Sequence, residues 1–459
     1  MTCAVISFFF YFWRDLWMDV KNGNITSIYL KYLFAAFGST IVSSIYTTVD
    51  IVAVGHYEGP NGTAALACIN PIWSIFMSTG MLFGIGGSVV MSICRGKGRK
   101  KDGDRYFTAA LIAAVAASII ITAAGMIFRE PMLRMFGADD ALLPYALDYM
   151  QWIFPVIPAF LMGQFLMAFI RNDNSPVLCT VAIISGGVFN IFGDIFFVYV
   201  LDMGISGAGL ATAIGQVIAI VILCSYFFTK KCSLRLAKPQ NFGRTVLEIL
   251  RTGFAPFIVD ISFGLSVTLF NNQIMRYGSA TELACYGTVS NIAIMFQSLF
   301  YGVGQALQPI VSTNFGAKNY DRVKKVLRLS MITAVIMGAL FFAVSESIPA
   351  LLLKFYMTVN DEVMAVGPRI MRIYASSFLL MGINVVAGYY LQSVMQTKAS
   401  VTVSLLRGFV LCTAFVYALP AIFGFGAIWW TMPITELLVA VCAAVLIKKY
   451  SSFDARSLA

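Results

Sequence analysis

Residues 106–128 read YFTAALIAAVAASIIITAAGMIF, with no charged side chain among them. A run of roughly 20 apolar residues is what a helix needs to cross the hydrocarbon core of a bilayer. Lipid offers no partner to a free backbone N–H or C=O, so a crossing segment must be a helix or part of a closed barrel. This run is continuous and does not alternate, which selects the helix. Similar runs fall at 28–54, 64–92, 142–169, 177–201, 206–229, 246–275, 283–312, 327–348, 363–393, 400–420 and 425–448. Of the 459 residues, 59% are hydrophobic and 12% charged, with mean hydropathy +0.82. A soluble domain carries about 25% charged residues. The chain therefore lacks the material for a large water-facing surface, and an all-α membrane protein of twelve transmembrane helices is expected.

The net charge of +10 is placed in loops. Arg95, Lys97, Arg99, Lys100, Lys101 and Arg105 fill the second loop. Lys230, Lys231, Arg235, Lys238 and Arg244 fill the sixth, and Lys318, Arg322, Lys324, Lys325 and Arg328 the eighth. The odd loops are poor in bases: His56 and Glu58 in the first, Asp202 in the fifth, Glu282 beside Arg276 in the seventh. Basic loops stay in the cytoplasm, so the even loops and both termini are expected there. Positive charge spread in this way answers to membrane topology and not to nucleic acid.

The two halves repeat. Phe160-Leu161-Met162-Gly163 matches Leu379-Leu380-Met381-Gly382 at an offset of 382 − 163 = 219. Carried forward, the same offset aligns Gly207-Ala208 with Gly426-Ala427 and Thr212 with Thr431. Six helices per repeat give the halves the same orientation, related by an axis along the membrane normal, with a substrate path between them. The expected division is an N-terminal cytoplasmic or interfacial segment (1–27), a first lobe (28–229), a cytoplasmic linker (230–245), a second lobe (246–448) and a cytoplasmic tail (449–459).

Ionisable residues inside spans are costly and usually face an interior cavity. Asp50 ends the first span, Asp194 lies deep in the fifth with Asn190 one turn before it, and Thr212 lies in the sixth. Two carboxylates with neutral oxygens suit a hard cation such as Na⁺. In the second half, Asp260 and Glu436 are the buried-acid candidates, with Arg369, Arg372 and Arg407 as available counter-charges. Asn272, Gln297 and Gln305 join them as a candidate substrate cavity or second-lobe polar site. Other chemistry is excluded or unsupported. The only histidine is His56, and no glycine loop is followed by Lys-Ser/Thr, so neither a His-based catalytic site nor a phosphate-binding loop for ATP is present. No enzymatic activity and no resident cofactor are expected. The cysteines within spans (Cys68, Cys179, Cys224, Cys412, Cys442) read as small packing residues.

Five stretches together resemble the bacterial branch of the multidrug and toxic compound extrusion (MATE) transporters. They are Val49-Asp50-Ile51-Val52-Ala53-Val54-Gly55, Ala64-Ala65-Leu66-Ala67, Arg171-Asn172-Asp173 with Pro176, Asn190-Ile191-Phe192-Gly193-Asp194, and Gly207-Ala208-Gly209-Leu210-Ala211-Thr212. The resemblance implies two six-helix lobes forming a V. It implies a cation-coupled antiporter that exports organic cations or amphipathic drugs, with Na⁺ or H⁺ as coupling ion. It places the first-lobe cation site at Asp50, Asn190, Asp194 and Thr212. The expected setting is the bacterial cytoplasmic membrane. The expected partners are small amphipathic or cationic substrates and membrane lipids, with no nucleic acid, and the chain is expected to act as a monomer. The alternative of related fold is a flippase of lipid-linked precursors, which would need several basic residues in its cavity. The family commonly has proline fifteen residues before the aspartate; here that position is Ala35, with Gly38 nearby, which puts a proline-hinged first helix in doubt.

Overall fold

The side chain of Asn24 starts the first crossing by accepting hydrogen bonds from Thr26 N (3.1 Å) and Ser27 N (3.3 Å), satisfying donors that a helix start leaves orphaned. The computed structural model describes Val20, residues 23–356 and 360–451. Residues 1–19, 21–22, 357–359 and 452–459, including much of the expected N-terminal segment and tail, lie outside the described residues.

The crossings are α1 (Ile25–Gly59), α2 (Asn61–Gly96), α3 (Lys100–Ile127), α4 (Leu143–Asn172), α5 (Pro176–Val200) and α6 (Gly204–Phe228) in the first half. The second half has α7 (Phe242–Tyr277), α8 (Thr281–Gly316), α9 (Tyr320–Ser347), α10 (Asp361–Ser393), α11 (Thr397–Phe423) and α12 (Phe425–Ser451). These are the twelve helices of a V-shaped pair of six-helix lobes. Among the described residues, eleven are long and apolar enough to cross a membrane on composition alone; α7, with its polar first turns, is the twelfth crossing.

Three features differ from the sequence expectation. The apolar runs leave 55–63 as a loop, yet α1 and α2 are joined only by a kink at Gly59, whose φ of 69° and ψ of −150° suit a residue without Cβ. Short helices Arg129–Met135 and Pro349–Tyr356 precede α4 and α10; neither is long enough to register as an apolar span. At Ala35, α1 keeps helical dihedrals, and the carbonyl of Ala35 accepts a hydrogen bond from Thr180 Oγ1 of α5 at 2.6 Å. The first helix is therefore unbroken where a proline would interrupt it.

The repeat is visible in three dimensions. Gly204 and Gly424, which open α6 and α12, both have positive φ, at an offset of 424 − 204 = 220. Asn172 Nδ2 donates to Ser88 Oγ between α4 and α2 (3.1 Å), and Gln308 Nε2 donates to Gln392 Oε1 between α8 and α10 (3.3 Å), each pair 84 residues apart. The Arg171-Asn172-Asp173 motif is structural: Asp173 takes Arg95 Nη1 at 2.5 Å, Tyr226 Oη at 2.8 Å and Ser233 N at 2.9 Å, tying α4 to α2, α6 and the linker.

The lobes meet where α2 presses on α7 and α8. A Cβ at Gly253 would collide with the carbonyl oxygen of Leu82, and one at Gly316 with that of Ile93. The chain therefore closes at the end that carries the basic loops, and only glycine allows backbones this near. Gly253→Val is expected to destabilise the fold by about 1–3 kcal/mol through overpacking. Thermal melting of the detergent-solubilised protein measures it, with Gly243→Ala, which meets nothing within 4 Å, as the unchanged control.

Candidate functional site

In the first lobe, α5 and α6 cross so closely that Gly186 and Gly215 oppose each other's carbonyl oxygens, at 2.6 Å and 2.7 Å from the Cβ each would carry. That approach brings Asn190 and Asp194 of α5 beside Thr212 of α6. Asn190 Nδ2 donates to Thr212 Oγ1 at 3.0 Å and lies 3.5 Å from Asp194 Oδ1. Helix α4 adds Tyr149, whose hydroxyl is 3.1 Å from Asp50 Oδ2 and 3.4 Å from Thr212 Oγ1. A continuous polar chain thus links Asp50, Tyr149, Thr212, Asn190 and Asp194 across α1, α4, α5 and α6.

The end of α1 that carries Asp50 is held from outside the cluster. Glu58 accepts from Ile205 N at 3.2 Å, Tyr199 donates to the Ala53 carbonyl at 2.9 Å, and the Tyr57 hydroxyl bonds the Asp202 carboxylate. Just beyond Asp194 the helix widens into a π-helical stretch, Ile195–Val200. Such stretches are frequent at functional positions because they re-aim the side chains around them.

The chemistry of the cluster is that of an oxygen ligand set. Asp194 is fully buried and Asn190 nearly so. Asp50 Oδ1, Asn190 Oδ1 and Asp194 Oδ2 are buried acceptors with no hydrogen-bond partner. An unpartnered buried acceptor costs about 1–3 kcal/mol, and three of them lie together in this cluster. The four residues singled out from the sequence are therefore brought together. Tyr149 escapes a reading of the sequence, because a lone tyrosine in an apolar span gives no signal until α4 is known to pack against α1 and α6. Ser43 and Tyr46 hydrogen-bond to each other on α1, whereas Thr47 Oγ1 turns back to its own helix at the Ser43 carbonyl.

The second-lobe candidates are only partly assembled. Glu436 of α12 is fully buried, with Oε1 2.7 Å from Arg407 Nε and Oε2 2.6 Å from Asn384 Nδ2. Gln297 of α8 stands 3.5 Å from Arg407 Nη2 and bonds Tyr301. Arg407 lies in a second π-helical stretch, Leu406–Val410, in the helix that corresponds to α5. Asn272 is exposed on α7, and Gln305 is half-buried on α8 about two turns beyond Gln297; among the described residues neither hydrogen-bonds into the cluster. Arg372 is also excluded as counter-charge, since it pairs with Glu346 at 3.5 Å in an exposed position. Asp260 belongs to α7, but its side chain lies outside the described residues.

Removing one partner of a buried pair leaves a stranded charge, at a cost of about 3–5 kcal/mol. Arg407→Ala is accordingly expected to lower the melting temperature strongly. The double change Arg407→Gln with Glu436→Gln is expected to recover most of the loss. A double variant no more stable than Arg407→Ala would contradict the pairing.

The family profile described as MatE matches residues 35–196 and 256–418. The multidrug export protein MepA of Staphylococcus aureus (strain MSSA476) is 24% identical over 416 residues, which cover 89% of this chain and 90% of that protein. MepA of Staphylococcus saprophyticus is 22% identical over 413 residues, with the same two shares. Among solved structures, the MATE multidrug transporter DinF-BH, in a complex with a bound compound, matches with TM-score 0.85 at 28% identity, over 95% of this chain and 98% of that one. An outward-facing multidrug resistance MATE transporter of the MOP superfamily matches in fold with TM-score 0.88 at 16% identity, over 94% of this chain and 97% of that one. With one matched block in each six-helix half, the chain belongs to the MATE family of multi-pass membrane transporters and is not an enzyme.

Proposed function

We propose that this protein exports organic cations or other amphipathic drugs by alternating access, driven by entry of Na⁺ or H⁺ at the Asp50–Asn190–Asp194–Thr212 cluster. The observation that carries the reading is the set of three unpartnered buried oxygens spread over Asp50, Asn190 and Asp194. Relatives named as multidrug export proteins supply the substrate class. The basic even loops favour a bacterial cytoplasmic membrane with both termini inside. The reading takes the chain to work as a monomer among lipids, supported by a first-lobe cluster that is assembled within one chain.

The coupling follows from burial. Two carboxylates facing each other across α1 and α5 repel when both are charged, and lipid around the lobe keeps water from screening them. A cation in the cluster removes that penalty and changes the packing of α1, α4, α5 and α6 that is favoured. Oxygen-only donors, two of them neutral, suit Na⁺ best. One monovalent ion entering yields about 2.3 kcal/mol per 100 mV of membrane potential. At about 1.4 kcal/mol per tenfold, one ion supports roughly 50-fold accumulation of substrate outside. The ion and the drug must prefer opposite-facing states, because only differential affinity moves the equilibrium. A flippase of lipid-linked precursors is not supported: the described arginine inside the second lobe is paired with Glu436, and no group of bases accompanies it.

Efflux of ethidium, a fluorescent organic cation, from cells lacking their own pumps tests the reading. Asp50→Asn and Asp194→Asn are each expected to abolish concentrative efflux, with membrane levels matched by immunoblot. Full retention by both would overturn the coupling site. Replacing external Na⁺ by choline is expected to reduce efflux if Na⁺ is the coupling ion and to leave it unchanged if H⁺ is. Tyr149→Phe removes a hydrogen bond to a charged group, worth about 1.5–3 kcal/mol. It is expected to shift the cation dependence of efflux by about tenfold or more while leaving the maximal rate nearer to wild type.

A further inference from the structure

The first-lobe cluster is capped on one side. Tyr57 follows Asp50 by seven residues in α1, Tyr199 follows Asp194 by five in α5, and Ile205 precedes Thr212 by seven in α6. At about 1.5 Å per residue, each stands roughly 8–11 Å along its helix from the cluster, toward the helix ends opposite the basic loops. The three helices are tied together at that level. Tyr199 Oη donates to the Ala53 carbonyl at 2.9 Å, Ile205 N donates to Glu58 Oε1 at 3.2 Å, and the Tyr57 hydroxyl donates to the Asp202 carboxylate. The rings of Tyr57 and Tyr199 meet edge to face, with centroids 6.0 Å apart. Gly204, at φ 56°, makes room for this clasp: a Cβ there would collide with the Glu58 carboxylate and crowd the Tyr57 ring.

The clasp stands between water and the buried oxygens. Tyr57, Tyr199 and Asp202 are exposed, Ala53 and Ile205 beneath them are buried, and Asp194 is fully so. A cation arriving from this side at Asp50 Oδ1, Asn190 Oδ1 and Asp194 Oδ2 has to pass the clasp. Its bonds are few and lie near water, which replaces a broken hydrogen bond at small net cost. The clasp can therefore open without unfolding the lobe. Its charge has one sign. Glu58 and Asp202 are both acids, and among the described residues neither pairs with a base. Charge of one sign around an opening raises the local concentration of counter-ions.

We infer that this clasp is the gate through which the coupling cation reaches the Asp50–Asp194 cluster, from the side opposite the basic loops and not through the cleft between the lobes. Tyr57, Tyr199 and the Gly204 corner hold the gate shut. Glu58 and Asp202 share in the clasp and also draw cations to it. The inference rests on the coupling reading for the identity of what enters, but access to the cluster is measured without transport.

Thiol labelling of a Thr212→Cys variant of the full chain in intact cells tests the gate. The probes are two membrane-impermeant methanethiosulfonates, one carrying a trimethylammonium group and one a sulfonate, and peptide mass spectrometry follows position 212 apart from the native cysteines. Adding Tyr57→Phe and Tyr199→Phe keeps both rings and removes both hydroxyl bonds; labelling by the cationic probe is expected to quicken about fivefold or more. Gly204→Ala sets a methyl group against Glu58 and is expected to act in the same direction by a different route. Glu58→Gln with Asp202→Asn keeps acceptors for Ile205 N and the Tyr57 hydroxyl but removes both charges. The preference for the cationic over the anionic probe is then expected to fall several-fold, and more at low than at high ionic strength. Labelling that neither loosened variant speeds, or no labelling of position 212 in any of them, would place entry elsewhere and overturn the gate. An unchanged probe preference in the Gln/Asn variant would overturn the role of the two acids. Either failure leaves the efflux test of Asp50 and Asp194 standing, because labelling reads access and efflux reads coupling.

Discussion

The constraint on which the rest depends is the burial of Asp50 and Asp194 in a helix bundle wrapped by lipid. Among the described residues, neither carboxylate has a basic partner. Their neighbours are Tyr149, Thr212 and Asn190, which link the two acids but leave Asp50 Oδ1, Asn190 Oδ1 and Asp194 Oδ2 without hydrogen bonds. In the coupling we propose, a bound cation fills these acceptors, and its loss favours a different packing of the helices around them. The second lobe uses the opposite solution. Glu436 is answered permanently by Arg407 and Asn384, so nothing in that pair calls for a mobile cation.

Motion at the first site has to be transmitted through a closed seam. The lobes meet at glycines of α7 and α8 against the backbone of α2, and the Asp173–Arg95–Ser233 knot holds the linker to the first lobe. These contacts lie at the end with the basic loops, whereas Asp50 lies toward the far end of α1. The first helix is continuous through Ala35, where Thr180 bonds its backbone carbonyl. Rearrangement at Asp50 therefore acts on a whole helix and its seat between α5 and α6, without a proline joint to absorb the movement.

Much of this is legible in the sequence, for identifiable reasons. Span positions follow from hydropathy because lipid permits few alternatives to a continuous apolar helix. The repeat follows from glycine and small-residue motifs, which mark close helix contacts common to both halves. Asn190 and Asp194 share a helix face by spacing alone, and Asp50 and Thr212 join them through the family resemblance. What stays hidden depends on packing. Tyr149 becomes part of the site only once α4 lies against α1 and α6. The sequence offers Arg407 as a counter-charge, but its choice of Glu436 over other acids depends on how α8, α10, α11 and α12 assemble. Asn272 and Gln305 resemble that pair in polarity, which says nothing about the partners a side chain meets. The kink at Gly59 looks like a loop in the sequence because turn residues are alike whether the chain reverses in one residue or over several.

The central claim is that the buried acids of the first lobe hold the coupling cation, and counting cations on the purified protein tests it most directly. Titration calorimetry with NaCl against choline chloride at constant ionic strength reports Na⁺, and an indicator dye in weakly buffered solution reports protons taken up or released. The account predicts about one cation, Na⁺ or H⁺, bound reversibly per chain in the wild type and lost in the Asp50→Asn/Asp194→Asn double variant. Cation binding that survives unchanged in the double variant would contradict it.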